Sequence, residues 1–99
     1  MIRHIVLFKM RKDVEPSVLG ERLPDIKRQF DAMVGVLPTL RTIEVGINCN
    51  PSEAFHLALT ASFDDMAGLK SYADDPRHQA VVRQIKEMLE VRACVDYEV

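Results

Sequence analysis

An α+β domain, with four strands and two helical segments in the order βαββαβ, is the fold that this sequence predicts. Three observations carry the prediction. Apolar residues recur with period two in four segments and at helical spacing in two others, and turn residues separate the segments. With 99 residues, 47% of them hydrophobic and 28% charged, the chain has the size and composition of one compact domain over residues 1–99.

The first strand is Ile2 to Met10, with Ile2, His4, Val6, Phe8 and Met10 on one face and Arg3, Ile5, Leu7 and Lys9 on the other. Both faces have an apolar middle. From Pro16 the spacing becomes helical through Leu19, Leu23, Ile26, Phe30, Met33 and Leu37, with acidic and basic residues facing away. Pro24 lies inside this helix and predicts an irregular first turn or a kink. The well-formed part should then run from Pro24 to about Val34, before Gly35 and Pro38 stop it. Period two returns from Arg41 to Ile47, and again from Phe55 to Phe63 beyond the turn residues Asn50, Pro51 and Ser52, so these two strands should form a hairpin. Asp64 and Asp65 offer an N-cap for a short helix over Met66 to Ala73. A break at Asp74 to Pro76 follows, and the helix restarts at Pro76 and runs through Met88. Val91 to Val99 is the last strand.

This order is that of a ferredoxin-like four-stranded antiparallel sheet with both helical segments on one face. The other face would lie bare, and Ile5 and Leu7 point toward it, so a homodimer is expected. Both faces of the first strand would then be covered.

Composition also sets aside several classes of function. A formal net charge of -2 with scattered basic residues predicts neither nucleic acid nor an anionic membrane as partner. No apolar run reaches spanning length, and the opening segment carries Arg3, His4 and Lys9 without a small-residue cleavage site. Cys49 and Cys94 have neither metal-ligand nor redox spacing, and the second strand, which ends just before Cys49, and the fourth, which carries Cys94, should lie at opposite edges of the sheet. Free thiols, a cytoplasmic location and no metal are expected.

The segment Ser71-Tyr72-Ala73-Asp74-Asp75-Pro76-Arg77-His78 and the opening Arg3-His4-Ile5-Val6-Leu7-Phe8-Lys9 resemble the stress-responsive dimeric α/β-barrel family. Leu37-Pro38 before Ile43-Glu44-Val45-Gly46, then Phe63, then Val95-Asp96-Tyr97 extend the resemblance over nearly the whole chain. It implies a ferredoxin-like protomer whose sheet meets that of a second protomer to form a barrel. The family's plant polyketide cyclases, of the olivetolic acid cyclase type, imply His4, Tyr72 and His78 as catalytic residues and Val6, Phe8, Phe30 and Leu59 as ligand-binding ones. No cofactor is implied. Asp75, where the plant enzymes carry another histidine, and Arg92, where they are apolar, are departures that bear on the substrate.

The chemistry is accessible to these side chains. An imidazole titrating near neutral pH can take a proton from an acidic carbon beside a carbonyl, and a phenol can hold the developing oxyanion by a hydrogen bond. If His4, Val6 and Phe8 face the helices, His4 lies across one cleft from Tyr72 and His78. Each candidate also has a structural reading: His78 as a surface or capping residue, Tyr72 as a half-buried core aromatic, and His4 as a hydrogen-bonded core residue.

The first function expected is therefore binding of a small hydrophobic or aromatic molecule in a sheet–helix cleft, with polyketide-cyclase-like proton transfer. A non-enzymatic stress or assembly protein is the alternative. So is a cofactor-free monooxygenase of the same architecture, although the absence of tryptophan sets the chain apart from haem-degrading members.

Overall fold

The computed structural model describes all 99 residues. Its elements are β1 (Ile2–Met10), α1 (Pro16–Asp31), β2 (Thr42–Ile47), β3 (Leu57–Phe63), α2 (Met66–Asp74), α3 (Pro76–Lys86) and β4 (Leu89–Glu98). The strands form one antiparallel sheet in the order β2-β3-β1-β4, the ferredoxin-like arrangement, with β2 and β4 at its edges. Cys49 and Cys94 are both free. No helix is long and apolar enough to cross a membrane.

The alternation in β1 decides where the core sits. Ile2, His4, Val6, Phe8 and Met10 are all buried against the helices. They join Leu23, Ile26 and Phe30 of α1, Leu57, Leu59, Ala61 and Phe63 of β3, and Leu69, Tyr72, Val81 and Ile85 of α2 and α3. Register places the remaining residues of β1 on the opposite face: Ile5 lies across from Val95, Leu7 from Ala93, and Arg3 from Tyr97. Leu7, Val91, Val95 and Tyr97 are exposed there.

Helix α1 departs from expectation at Pro24, because it runs without interruption from Pro16 to Asp31. Proline removes the N–H that would bond the carbonyl four residues back, here that of Gly20. Gly20 is exposed, so water can take that carbonyl and the helix continues. The helix also ends before Val34. Turns follow at 32–36, with Gly35 at φ 82°, a conformation that favours glycine, and they still deliver Met33 and Leu37 to the core.

Two strand boundaries also differ from the sequence reading. β4 begins at Leu89 because the end of β1 captures it: Met10 pairs with Leu89, and Arg11 N–H donates to the Met88 carbonyl at 2.7 Å. This also ends α3 at Lys86, short of Met88. β3 begins at Leu57, with His56 just before it acting as a splice: its N–H donates to the Phe8 carbonyl and its Nδ1 accepts from Met10 N–H. Of the two candidate caps, Asp65 is the N-cap of α2, accepting from Gly68 N–H at 2.8 Å. Asp64 instead pairs with Arg41. Asp65→Ala is expected to lower unfolding stability by about 1 kcal/mol, the usual worth of such a cap, measurable by chemical denaturation.

Candidate functional site

Between the helix-facing side of the sheet and helices α1 to α3 lies a cavity of about 710 Å³. All seven residues singled out in the sequence line it: His4, Val6, Phe8, Phe30, Leu59, Tyr72 and His78. The walls are mostly apolar, and the polar groups are concentrated at the α2–α3 junction and along β4.

The junction arises because Asp75 both ends α2 and caps α3, accepting from Arg77 N–H at 2.8 Å, with Pro76 as the first residue of α3. Arg77 also donates its guanidinium to the same carboxylate, and these bonds hold Asp75 down to about 2. The tight turn brings His78 back over α2. Its ring lies 4.3 Å from that of Tyr72, centroid to centroid, and 6.3 Å from Phe30. His78 Nδ1–H donates to the Ala73 carbonyl at 3.1 Å, and Gln79 donates to the same oxygen at 2.6 Å. With Nδ1 engaged as a donor, Nε2 carries the lone pair of the neutral ring. Burial holds the His78 pKa below its ordinary 6.5, against the opposing effect of the Ala73 bond, so the ring is neutral at physiological pH.

Tyr72 is almost fully buried, and its hydroxyl has no hydrogen-bond partner within the protein. Burial pushes the phenol well above its ordinary 10, so the group is a donor and not a phenolate. Phe63 backs it at 5.0 Å and separates it from His4, whose ring is 6.3 Å from Phe63.

His4 has partners that the sequence reading missed. Its Nδ1–H donates to Asp96 at 2.5 Å, and Cys94 Sγ is 3.6 Å from the same nitrogen. Burial and the Asp96 carboxylate both raise the Cys94 thiol above its ordinary 9.0. Arg92, Cys94 and Asp96 line the cavity together because alternate residues of β4 share a face. The signal was available in the register: an antiparallel β1–β4 pair sets Asp96 opposite His4 and Cys94 opposite Val6.

Fold and cavity together define a ferredoxin-like α/β domain with a mostly apolar cavity between sheet and helices. Residues 2–99 match the family model of the stress responsive A/B barrel domain, and the chain belongs to that family. An uncharacterized protein of Streptomyces coelicolor is 35% identical over 102 residues, 99% of each chain. A Bacteroides fragilis crystal structure, described as a dimeric protein of unknown function with a ferredoxin-like fold, is 40% identical. Its TM-score is 0.96, over 99% of this chain and 95% of that one. A hydroxynitrile lyase from Passiflora edulis shares the fold at 14% identity, with TM-score 0.78 over 99% and 92% of the two chains.

The depressed His78 pKa makes a prediction about stability. Below pH 6.5 the unfolded chain takes up a proton at this position while the folded chain resists it, so protonation favours unfolding. The stability of the wild type relative to His78→Asn is therefore expected to be greatest above pH 6.5 and to fall as the pH is lowered through the folded-state pKa. Urea titrations of both proteins at a series of pH values measure it.

Proposed function

We propose that the protein is a homodimer in which each protomer binds a hydrophobic or aromatic carbonyl compound in the sheet–helix cavity and moves a proton on it. The observation that carries this reading is the Tyr72 hydroxyl, buried without a partner and ring-packed at 4.3 Å on a neutral histidine. A buried hydroxyl left unsatisfied costs about 1–3 kcal/mol. A ligand oxygen would satisfy it.

In this mechanism His78 Nε2 takes a proton from the carbon beside the carbonyl, and the electron pair moves onto the carbonyl oxygen as an enolate. The Tyr72 hydroxyl donates to that oxygen. The imidazolium, steadied by the Ala73 carbonyl, returns its proton to the product. His4, oriented by Asp96, offers Nε2 as a further hydrogen-bonding group, while Val6, Phe8, Phe30 and Leu59 hold the apolar part of the ligand. A carbanion or enolate held in this way can add to a second carbonyl of the same molecule, which is the step a polyketide cyclisation requires.

The test is deuterium exchange at the α-carbon of a panel of aryl β-keto esters, followed by NMR. Acceleration above an equal concentration of free imidazole is expected. His78→Ala and Tyr72→Phe should each reduce it on the order of 10²-fold. Rates indifferent to both substitutions would remove the acid–base reading. Tyr72→Phe separates function from structure in a second way. Removing an unsatisfied hydroxyl is expected to leave the free protein as stable as the wild type or up to about 1 kcal/mol more stable, while activity falls. A large loss of stability would mean that the hydroxyl serves the fold.

The homodimer is supported by the bare sheet face bearing Leu7, Val91, Val95 and Tyr97, and by the dimeric description of the 40%-identical Bacteroides structure. Sedimentation at micromolar concentration is expected to give twice the 11.3 kDa chain mass, and Leu7→Asp to give the chain mass itself. A wild-type monomer would overturn the assembly.

A further inference from the structure

The proton-transfer reading uses one end of the cavity, and the other end holds a group of donors that it leaves largely idle. His4 Nδ1, Cys94 Sγ and an Asp96 carboxylate oxygen all lie within 4.8 Å of one another. Two adjacent strands present them on one face: His4 and Asp96 are directly opposed in the β1–β4 register, and Cys94 is two residues from Asp96 on the same side. The geometry points to a binding site for one transition-metal dication of the Zn²⁺ or Co²⁺ kind, held by His4, Cys94 and Asp96, with its remaining position open to the cavity.

The distances can be compared with what such an ion requires. Bond lengths of about 2.3 Å to sulfur and about 2.0–2.1 Å to nitrogen and oxygen, at tetrahedral angles, separate sulfur from either light donor by about 3.5 Å. The observed separations are 3.6 Å from Cys94 Sγ to His4 Nδ1 and 3.8 Å from Cys94 Sγ to the Asp96 oxygen. Only the His4–Asp96 pair, at 2.5 Å, is closer than the about 3.3 Å of a tetrahedral edge, because a proton lies between the two atoms instead of an ion. Opening that pair requires movement of Asp96 alone. Asp96 is exposed on an edge strand, so it can rotate without disturbing the core.

The donor set also decides which metals fit. A thiolate with an imidazole favours borderline ions over Mg²⁺ and Ca²⁺, which prefer all-oxygen sites. Cys94 as thiolate and Asp96 as carboxylate supply two negative charges, enough to neutralise a dication. Three protein ligands and one open position is the pattern of a metal that meets a ligand directly and not that of a closed structural site.

The experiment uses the full chain with Cys49→Ser, which leaves Cys94 as its only thiol, titrated with Co²⁺ under a non-thiol reductant. The expected result is a saturable thiolate-to-cobalt absorption in the near ultraviolet and tetrahedral visible bands, complete at one Co²⁺ per chain and bleached by Zn²⁺. Cys94→Ser in the same background should abolish the near-ultraviolet band. Asp96→Asn, an exposed substitution that the fold should tolerate, should weaken binding at least tenfold. Absence of the thiolate band from the Cys49→Ser protein at several-fold excess of Co²⁺, a band that survives Cys94→Ser, or an affinity unmoved by Asp96→Asn would each overturn the site. Because the readout is optical, the result stands apart from whether any α-carbon exchange is found.

Discussion

Strand β1 is paired along both edges, with β3 on one side and β4 on the other, and this double pairing constrains most of what the molecule does. A central strand with period-two alternation must commit each side chain to one of two faces, and a slip of one residue would exchange them all. Here the commitment places Val6 and Phe8 in the core, sets His4 opposite Asp96, and turns Ile5 and Leu7 away from the helices. Core, cavity chemistry and bare face are therefore three results of one register. A substitution that stabilised a shifted register would lose all three together.

The cavity depends equally on how α2 gives way to α3. A continuous helix would carry residue 78 about 120° away from the face that holds residue 72, given the roughly 100° advance per residue of an α-helix. Asp75 and Pro76 interrupt it, and the single Ala73 carbonyl then receives both His78 and Gln79. The backbone group that an ending helix leaves unsatisfied thereby becomes the anchor of an imidazole. The same hydrogen bond fixes which nitrogen of that imidazole is free.

Much of this was legible in the residues. The alternation of β1, the hairpin of β2 and β3, and the Asp-Asp-Pro break between α2 and α3 each rest on local rules that tertiary packing did not override. Pro24 was misjudged because its cost depends on whether the carbonyl of Gly20 can reach water, which only the folded surface decides. The ends of β3, α3 and β4 were misplaced for a related reason: His56 and Met88 are tied to β1 by bonds spanning many residues, and spacing within a segment carries no trace of them. Asp96 and Cys94 were missed for want of a register. Alternation puts them on one face of β4, but only the pairing with β1 brings that face to His4.

The placement of β4 at the sheet edge has one more consequence. An edge strand presents a free row of backbone N–H and C=O groups, which invites further strands to add indefinitely. β4 is ten residues long, and every residue beyond Leu89 is exposed in the protomer, so the invitation is a large one. Its sequence counters it with charge: Arg92, Asp96 and Glu98 lie on the same face as Cys94, and Glu90, at the register shift, pairs with Lys9. A chain docking against this edge would have to accommodate acid and base in close succession beside its own side chains. The strand that supplies the polar end of the cavity thus also guards the protein against growth into fibres.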